Sequence, residues 1–439
     1  MTAAPSQEHS TALLTDHYEL TMLQAALRSG AAHRRCVFEV FARRLPEGRR
    51  YGVVAGTGRL LDAIEAFRFD EPALRALAKA QVVDDDTLAW LGQYAFGGSV
   101  CGYAEGECFF PGSPILVVEG TFAEAVLLET LVLSILNHDC AVAAAASRMT
   151  SAALDRPCVE MGSRRTHEQA AVAAARAAYV CGFATTSNLA AGERYGVPTT
   201  GTSAHAFTLL HDDERAAFRA QVDSLGAATT LLVDTYDVPA AVRTAVEVAG
   251  TDLGAVRLDS GDLLAQAFQV RRQLDDLGAT GTKIIVTGDL DEHAIAALAA
   301  APVDAYGVGT ALVTGSGAAT AGLVYKLVAR ADDDGNLVGV AKRSKDKAGV
   351  AGRKWAQRRY GTDALAAVEV TGTGTEPPVD AHSRTLLVEL VREGTVVGRE
   401  PLVTARERHR AALAELPPSA IQLSRGEPAI PTRHETERP

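Results

Sequence analysis

Long uncharged apolar runs are missing from this sequence. Nowhere do about eighteen apolar residues follow one another without a charge, so no membrane span is expected. The longest candidate, residues 123–136, is broken by Glu124 and Glu129 and reads as a core helix. Positive charge is short as well. Lys and Arg number 43 against 54 Asp and Glu, and the formal net charge of -11 excludes a broad nucleic-acid surface. A pocket for a small anion stays open, because a few placed Arg side chains outweigh a diffuse field at short range. Cysteine is sparse: Cys36, Cys101, Cys108, Cys140, Cys158 and Cys181 are scattered, with no C-x-x-C pair. That excludes a disulfide framework and reads as buried thiols in a reducing compartment. The start of the chain, Met1 to Ser10, is polar and lacks the basic and apolar regions of a secretory signal. A cytoplasmic protein is expected.

What is present has the composition of a globular α/β protein: 439 residues, 47% hydrophobic, 22% charged and 39 Gly. Residues 1–150 mix strands and helices into an N-terminal α/β domain. Residues 36–41 alternate and are β-rich, and 53–67 carry Leu60, Leu61, Ile64 and Phe67 at helical spacing. A turn cluster over 109–114 leads into a strand over 115–118, and a helix is expected over 124–145. Residues 151–330 settle into a rhythm. Short β-prone segments at 158–161, 180–184, 197–200, 230–233, 255–258, 283–286 and 303–308 alternate with Ala-rich helical stretches such as 169–179, 240–249 and 292–300. Strands alternating with helices make a parallel sheet, and so many units in succession predict an irregular, TIM-like α/β barrel. An open doubly wound sheet is the runner-up. Residues 331–425 carry strands over 368–370 and 385–390 that could return to the N-terminal sheet, giving an open α/β domain formed by both chain ends. A helix is expected over 405–416 with Thr404 as N-cap, and residues 426–439 as a disordered tail.

Nearly every segment of the rhythm ends in residues that can do chemistry: Ser163-Arg164-Arg165, Thr186-Ser187-Asn188, Ser203-Ala204-His205, Asp234-Thr235, Asp259-Ser260-Gly261-Asp262, Thr287-Gly288-Asp289 and Gly307-Val308-Gly309-Thr310. In a barrel the carboxyl ends of the strands form one rim, where active sites sit. Glycines at 307 and 309 let backbone N–H groups approach a phosphate, with a helix start to favour the anion; a tight turn would look the same. Arg257 and Asp259 lie two apart on a strand and point the same way, suiting a ligand with an anion and ribose hydroxyls; a rim ion pair is the alternative. Arg164 directly follows a strand and offers a fixed set of donors to phosphate, or is a solvated charge. His205 stands among Gly, Ala and Ser with room for a large ligand, as an acid/base, a nucleophile or a hydrogen-bonded structural histidine. Thr15 or Asp16 can cap a first helix on which Tyr18 presents an aromatic face.

Taken in order, Thr15-Asp16-x-Tyr18, Gly162-x-Arg164, Gly201-Thr202-x-Ala204-His205, Arg257-x-Asp259-Ser260-Gly261 and Gly307-x-Gly309-Thr310 resemble the nicotinate phosphoribosyltransferase family, and more distantly the nicotinamide phosphoribosyltransferases. The resemblance runs from Leu13 to about Lys326. It implies a type II phosphoribosyltransferase fold and a homodimer with shared active sites, Tyr18 stacking from the neighbouring subunit. It implies that Arg257 contacts the nicotinate side, Asp259, Gly288 and Asp289 the ribose, Gly307, Gly309 and Thr310 the 5′-phosphate, and Arg164 the phosphate region. His205 matches the histidine that the family phosphorylates from ATP. The implied reaction is the ATP-coupled condensation of nicotinate with phosphoribosyl pyrophosphate, the entry of nicotinate into NAD biosynthesis, with Mg²⁺ carried on the pyrophosphate and not by side chains. Nicotinamide-specific relatives hold an aspartate where Ser187 aligns, and an aspartate would repel the carboxylate of nicotinate. Two positions depart from the family pattern: Met161 replaces a frequent aromatic, and the loop holding Asp289 is variable. A quinolinate phosphoribosyltransferase would need a shorter chain and no His205, and a non-catalytic nucleotide sensor would be expected to lose Asp259 or His205.

Overall fold

The computed structural model describes residues 10–342, 349–361 and 367–435. Apolar alternation around residues 36–41 produces the strand Arg35–Ala42, which anchors a seven-stranded antiparallel sheet. Its neighbours are Leu323–Ala331 on one side and Leu116–Thr121 on the other, so the two ends of the chain share one sheet. Leu387–Arg392 extends it beyond Ser99–Tyr103. The Phe38 and Tyr325 rings stack at 4.9 Å across this pairing. Leu60, Leu61, Ile64 and Phe67 are all buried against the same core, the first three on the helix Thr57–Glu65.

This unit comprises Met1–Ala141 and Thr320–Pro439, and Val142–Ala319 form a second. The divisions therefore fall near residues 141 and 319 instead of at 150 and 330. The helix expected over 124–145 is two helices, Phe122–Val126 and Glu129–Ala153. A Thr121–Glu124 capping box starts the first, and the Ala-rich sequence carries the second past residue 145. The stretch Phe122–Ala153 is long and apolar enough to cross a membrane, yet 67% of its most apolar window is buried inside the protein. The last helix is Leu402–Ala414 with Pro401 at the N-cap, so Thr404 lies inside its first turn and is not the cap. Another expectation fails at the C-terminus. Thr432–Glu435, placed in a disordered tail by composition, is a strand pairing in parallel with Val368–Thr373. Backbone ladders hold it, which polar composition does not reveal.

Arg358 and Glu369 form an ion pair in this unit at 3.1 Å with neither side chain exposed. The Tyr103 and Ser113 hydroxyls both donate to Glu369, and Arg358 also donates to the Cys108 carbonyl at 2.9 Å. Burial pushes the Glu369 carboxyl above the usual range, and Arg358 works against that rise.

In the second unit six parallel strands run in the order Thr185–Thr186, Cys158–Glu160, Ala305–Val308, Lys283–Val286, Ala255–Leu258 and Thr230–Leu232. The first strand in sequence, Cys158–Glu160, pairs with the last, Ala305–Val308. A doubly wound sheet puts its first strand beside a middle one, so the runner-up topology fails. Thr199 adds a parallel bridge to Thr186, and among the described residues no ladder joins it to Thr230–Leu232. The unit is thus a mixed α/β body whose strand order is circular with one gap in the hydrogen bonding. Residues 180–184, expected as a strand, instead end the helix Glu168–Val180 and turn at Gly182, with φ of 104°. Residues 197–200 give only the Thr199 bridge, Pro198 having no N–H to pair.

Because Glu369→Ala leaves the buried Arg358 with only its longer pairs to Glu107 and Glu415 at 3.6 and 3.5 Å, it is expected to destabilise this unit by about 3 kcal/mol, checked by urea unfolding.

Candidate functional site

Five helices of the second unit start with an Asp or Asn that caps them. Asn188, Asp213, Asp237, Asp262 and Asp291 accept from the N–H of Ala191, Ala216, Ala240, Ala265 and Ala294 at 2.7–3.1 Å. These side chains are fixed by helix termination. Asp262 and Asn188, two of the polar residues at strand ends, are accounted for in this way.

The polar residues that remain converge on the ends of neighbouring strands. Arg257, only 9% exposed, lies on Ala255–Leu258. Its Nη1 donates to the Thr202 hydroxyl at 2.7 Å and to the Ser203 carbonyl at 3.1 Å. Its Nε donates to the Thr287 hydroxyl at 3.0 Å and its Nη2 to Asp259 Oδ1 at 3.1 Å. Thr287 in turn donates to Asp259. Burial pushes the Asp259 carboxyl up, but the Thr287 hydroxyl and the Arg257 charge outweigh it and hold the group below the usual aspartate range. Asp259 is a fixed anion at neutral pH.

A second carboxylate joins this network to His205. Asp234, with a side chain 2% exposed, contacts His205 Nε2 through Oδ1 at 3.1 Å. Its Oδ2 accepts from the Asp259 N–H at 2.9 Å and the Ser260 hydroxyl at 2.7 Å. An acceptor already serving two donors also accepts from the ring, so Nε2 carries the proton and Nδ1 is the basic nitrogen. His205 begins the short helix His205–Leu210, and its side chain is half-exposed. Among the described residues Asp234 is the partner that residue-by-residue reading missed; it was visible only as one polar residue among many at strand ends.

The glycines are required by space. A Cβ on Gly307 would lie 2.5 Å from the Thr287 methyl and 2.8 Å from the Met161 sulfur, and one on Gly288 would lie 2.6 Å from the Asp259 carbonyl. Met161 thus packs over Gly307, in a position where an aromatic ring would be larger. The helix after Gly309 is only Thr310–Val313, so the expected helix-start contribution is small and the exposed Thr310 and backbone N–H groups are what this turn offers. Asp289 holds φ at 40°, a left-handed conformation uncommon for a residue with a side chain. Glu160, buried at the base of the first strand end, accepts from the Thr186 hydroxyl and the Gly162 N–H and so fixes two neighbouring turns. Ser187 is exposed just beyond, its N–H bonded to the Glu160 carbonyl at 2.8 Å. Arg164 is exposed in the turn after Cys158–Glu160. Tyr18 belongs to the other unit, where burial and then Glu129 push its phenol up to about 12. That unit also has a cavity of about 370 Å³ whose described lining is mostly apolar and includes Arg43, Lys342 and Lys326, the last paired with Glu129 at 3.4 Å.

Comparison with known proteins points to one family. Residues 13–137 match the nicotinate phosphoribosyltransferase (NAPRTase) N-terminal domain, and residues 157–358 match the NAPRTase family. The chain is 58% identical to nicotinate phosphoribosyltransferase pncB1 of Mycobacterium tuberculosis, over 98% of this chain and 96% of that protein. It superposes on the crystal structure of human nicotinic acid phosphoribosyltransferase with a TM-score of 0.81, 25% identity, and coverage of 95% and 97% of the two chains. A nicotinate-nucleotide pyrophosphorylase from Pyrococcus furiosus shares the fold, with a TM-score of 0.77, 24% identity and coverage of 94% and 98%.

The depressed Asp259 carboxyl has a thermodynamic consequence. A group whose folded pKa is lowered contributes stability above its ordinary value and loses it as pH falls through the folded value. Wild type is therefore expected to exceed Asp259→Asn in stability at pH 7, with the gap closing as pH falls through and below the usual aspartate range in thermal unfolding.

Proposed function

We infer the activity from one premise: the chain belongs to the nicotinate phosphoribosyltransferase family. We propose that it condenses nicotinate with phosphoribosyl pyrophosphate, releasing pyrophosphate and forming nicotinate mononucleotide for NAD synthesis, with ATP acting through His205. The observation that carries the reading is the unbroken hydrogen-bonded path Arg257–Asp259–Asp234–His205 across neighbouring strand ends. It puts a cation, a fixed anion and a nucleophilic nitrogen in one network. The circular strand order supports an irregular barrel, whose rim would gather these ends.

In this reading the pyridine nitrogen attacks C1 of the ribose as pyrophosphate leaves, through a transition state of oxocarbenium character. The protein supplies alignment and charge, not a covalent bond to the sugar. Arg257, its guanidinium held by Thr202 and Thr287, orients the aromatic acid. Asp259 and the Gly288-Asp289 turn accept from ribose hydroxyls. Gly307, Gly309 and Thr310 receive the 5′-phosphate, with Arg164 beside the phosphate region. Among the described residues no group of three or more His, Cys, Asp and Glu could hold a metal ion. Mg²⁺, if bound with the pyrophosphate, would neutralise leaving-group charge.

His205 takes the γ-phosphoryl group of ATP on Nδ1. The Nδ1–P bond forms as the bond from phosphorus to the ADP oxygen breaks, and Asp234 holds the Nε2 proton. Water later cleaves the Nδ1–P bond and releases phosphate. While present, the group adds roughly −1.5 to −2 charges, by analogy with other phosphorylated side chains. That charge would couple ATP hydrolysis to substrate binding and pyrophosphate release.

A homodimer is also part of the proposal. Tyr18 and Met22, 43% and 37% exposed, lie one turn apart on the helix His17–Ser29, and Leu14, 60% exposed, ends the short turn before it; this apolar surface is suited to a second copy that receives Tyr18 at its site. The free cysteines, most of them buried, suit a cytoplasmic location.

Product assays with nicotinate, with and without ATP, test this directly. Wild type is expected to form nicotinate mononucleotide faster with ATP, and His205→Ala to lose that stimulation; stimulation surviving the change would remove His205 from its role. Ser187 is expected to admit the carboxylate of nicotinate. Ser187→Asp should lower kcat/KM for nicotinate on the order of 10-fold or more and leave nicotinamide use unimpaired.

A further inference from the structure

Helix termination explains only one edge of the Asn188 side chain. Its Oδ1 accepts from the Ala191 N–H at 2.9 Å, and a backbone N–H can only donate, so the amide has one orientation. The opposite edge is therefore Nδ2, which donates to the Ser163 hydroxyl oxygen at 2.9 Å. The other four helices described above are capped by carboxylates, those of Asp213, Asp237, Asp262 and Asp291. Asn and Asp are about equally good caps, so the helix itself does not ask for an amide at 188. The contact with Ser163 does.

A hydroxyl has one proton to give and two lone pairs that receive. Ser163 Oγ receives the Asn188 N–H, which leaves its own proton directed away from the amide. Among the described residues no protein acceptor takes that proton, and the Ser163 side chain is half-exposed. Its surroundings are those of the candidate site. The Arg165 N–H donates to the Gly162 carbonyl at 2.8 Å, closing a tight turn that presents Ser163 and Arg164. That turn lies against the one holding Gly309: a Cβ on Gly162 would be 3.2 Å from the Gly309 carbonyl oxygen and 2.2 Å from a Val313 methyl. On the other side Asn188 directly follows the exposed Ser187. The spare proton thus lies between a turn read above as meeting phosphate and a residue read as meeting a carboxylate.

We propose that Ser163 is a further substrate-binding donor, directed at an anionic oxygen, and that Asn188 is its positioning residue, turning the hydroxyl proton outward by donating to the oxygen from behind. The anionic oxygen belongs to phosphoribosyl pyrophosphate or to the carboxylate of nicotinate. An aspartate at 188 would still cap the helix and would reverse the polarity. Its second oxygen accepts, so the Ser163 proton would turn inward and a negative charge would stand beside Ser187. The proposal rests on the activity inferred above, and a binding measurement separates the two.

The experiment determines KM and kcat for each substrate on the full chain, and Kd for nicotinate and for phosphoribosyl pyrophosphate by titration calorimetry. Ser163→Ala is expected to raise KM and Kd for one substrate about 10-fold with kcat little changed, and the substrate affected identifies the anion. Ser163→Thr keeps the hydroxyl and should stay close to wild type. Asn188→Ser keeps a good neutral cap but is too short to reach Ser163, and should raise the same constants about 3-fold. Asn188→Asp should raise them further than Ser163→Ala does. In the Ser163→Ala background Asn188→Ser should cost nothing more, as expected of a residue acting through another. Unchanged constants in Ser163→Ala would overturn the proposal. So would an Asn188→Ser cost that persists without the Ser163 hydroxyl, or losses for both substrates together with a fall in kcat and in thermal midpoint, which mark a structural defect. Wild type that binds the ligands without forming product, while Ser163→Ala still binds more weakly, would remove the activity and leave the Ser163 contact standing.

Discussion

The arrangement of the second unit depends on both oxygens of one carboxylate being occupied. Asp234 receives the His205 ring on one side and the N–H of Asp259 with the Ser260 hydroxyl on the other. A buried carboxylate with several donors is a stiff element, because each charge-assisted hydrogen bond is short and directional. Three segments remote in sequence are locked together by it. Arg257 does the reverse with a cation, joining Thr202, Ser203, Thr287 and Asp259. The two charges share Asp259, and neither can move without disturbing the other.

Much of this architecture was legible in the sequence for a physical reason. Strands 255–258 and 283–286 were placed to the residue because short β-branched runs between Ala-rich helices have few other solutions. Leu60, Leu61 and Ile64 fell on one face because helical spacing reports burial. Where the reading failed, backbone geometry or pairing decided against local preference. Residues 180–184 have β-prone side chains, yet the helix before them continues and a left-handed Gly182 ends it. The strand Thr432–Glu435 has no apolar signature, since its stability comes from the ladder with Val368–Thr373.

The candidate site divides in the same way. Arg257 and Asp259 stood out because they lie two apart on a strand and point the same way, and His205 because small residues flank it within the ordered set of motifs. Asp234 did not, because the same stretch of chain is crowded with aspartates that serve only to start helices. Sequence shows the residue type at each position but not which oxygen meets which donor. Asp237 caps a helix while Asp234, three residues earlier, holds a ring, and only three-dimensional placement separates them. The tight contacts at Gly288 and Gly307 belong to the same class: the absence of a side chain is visible in the sequence, and the reason for it is not.

The parallel strand near the end of the chain has a practical bearing on handling the protein. With Thr432–Glu435 in place, the backbone groups along one side of Val368–Thr373 are satisfied. A version trimmed at residue 431 would bare that row of donors and acceptors, a template on which another chain could add itself. Shortened forms would then be lost to self-association in concentrated solution, and an affinity handle is better carried at the opposite end of the polypeptide.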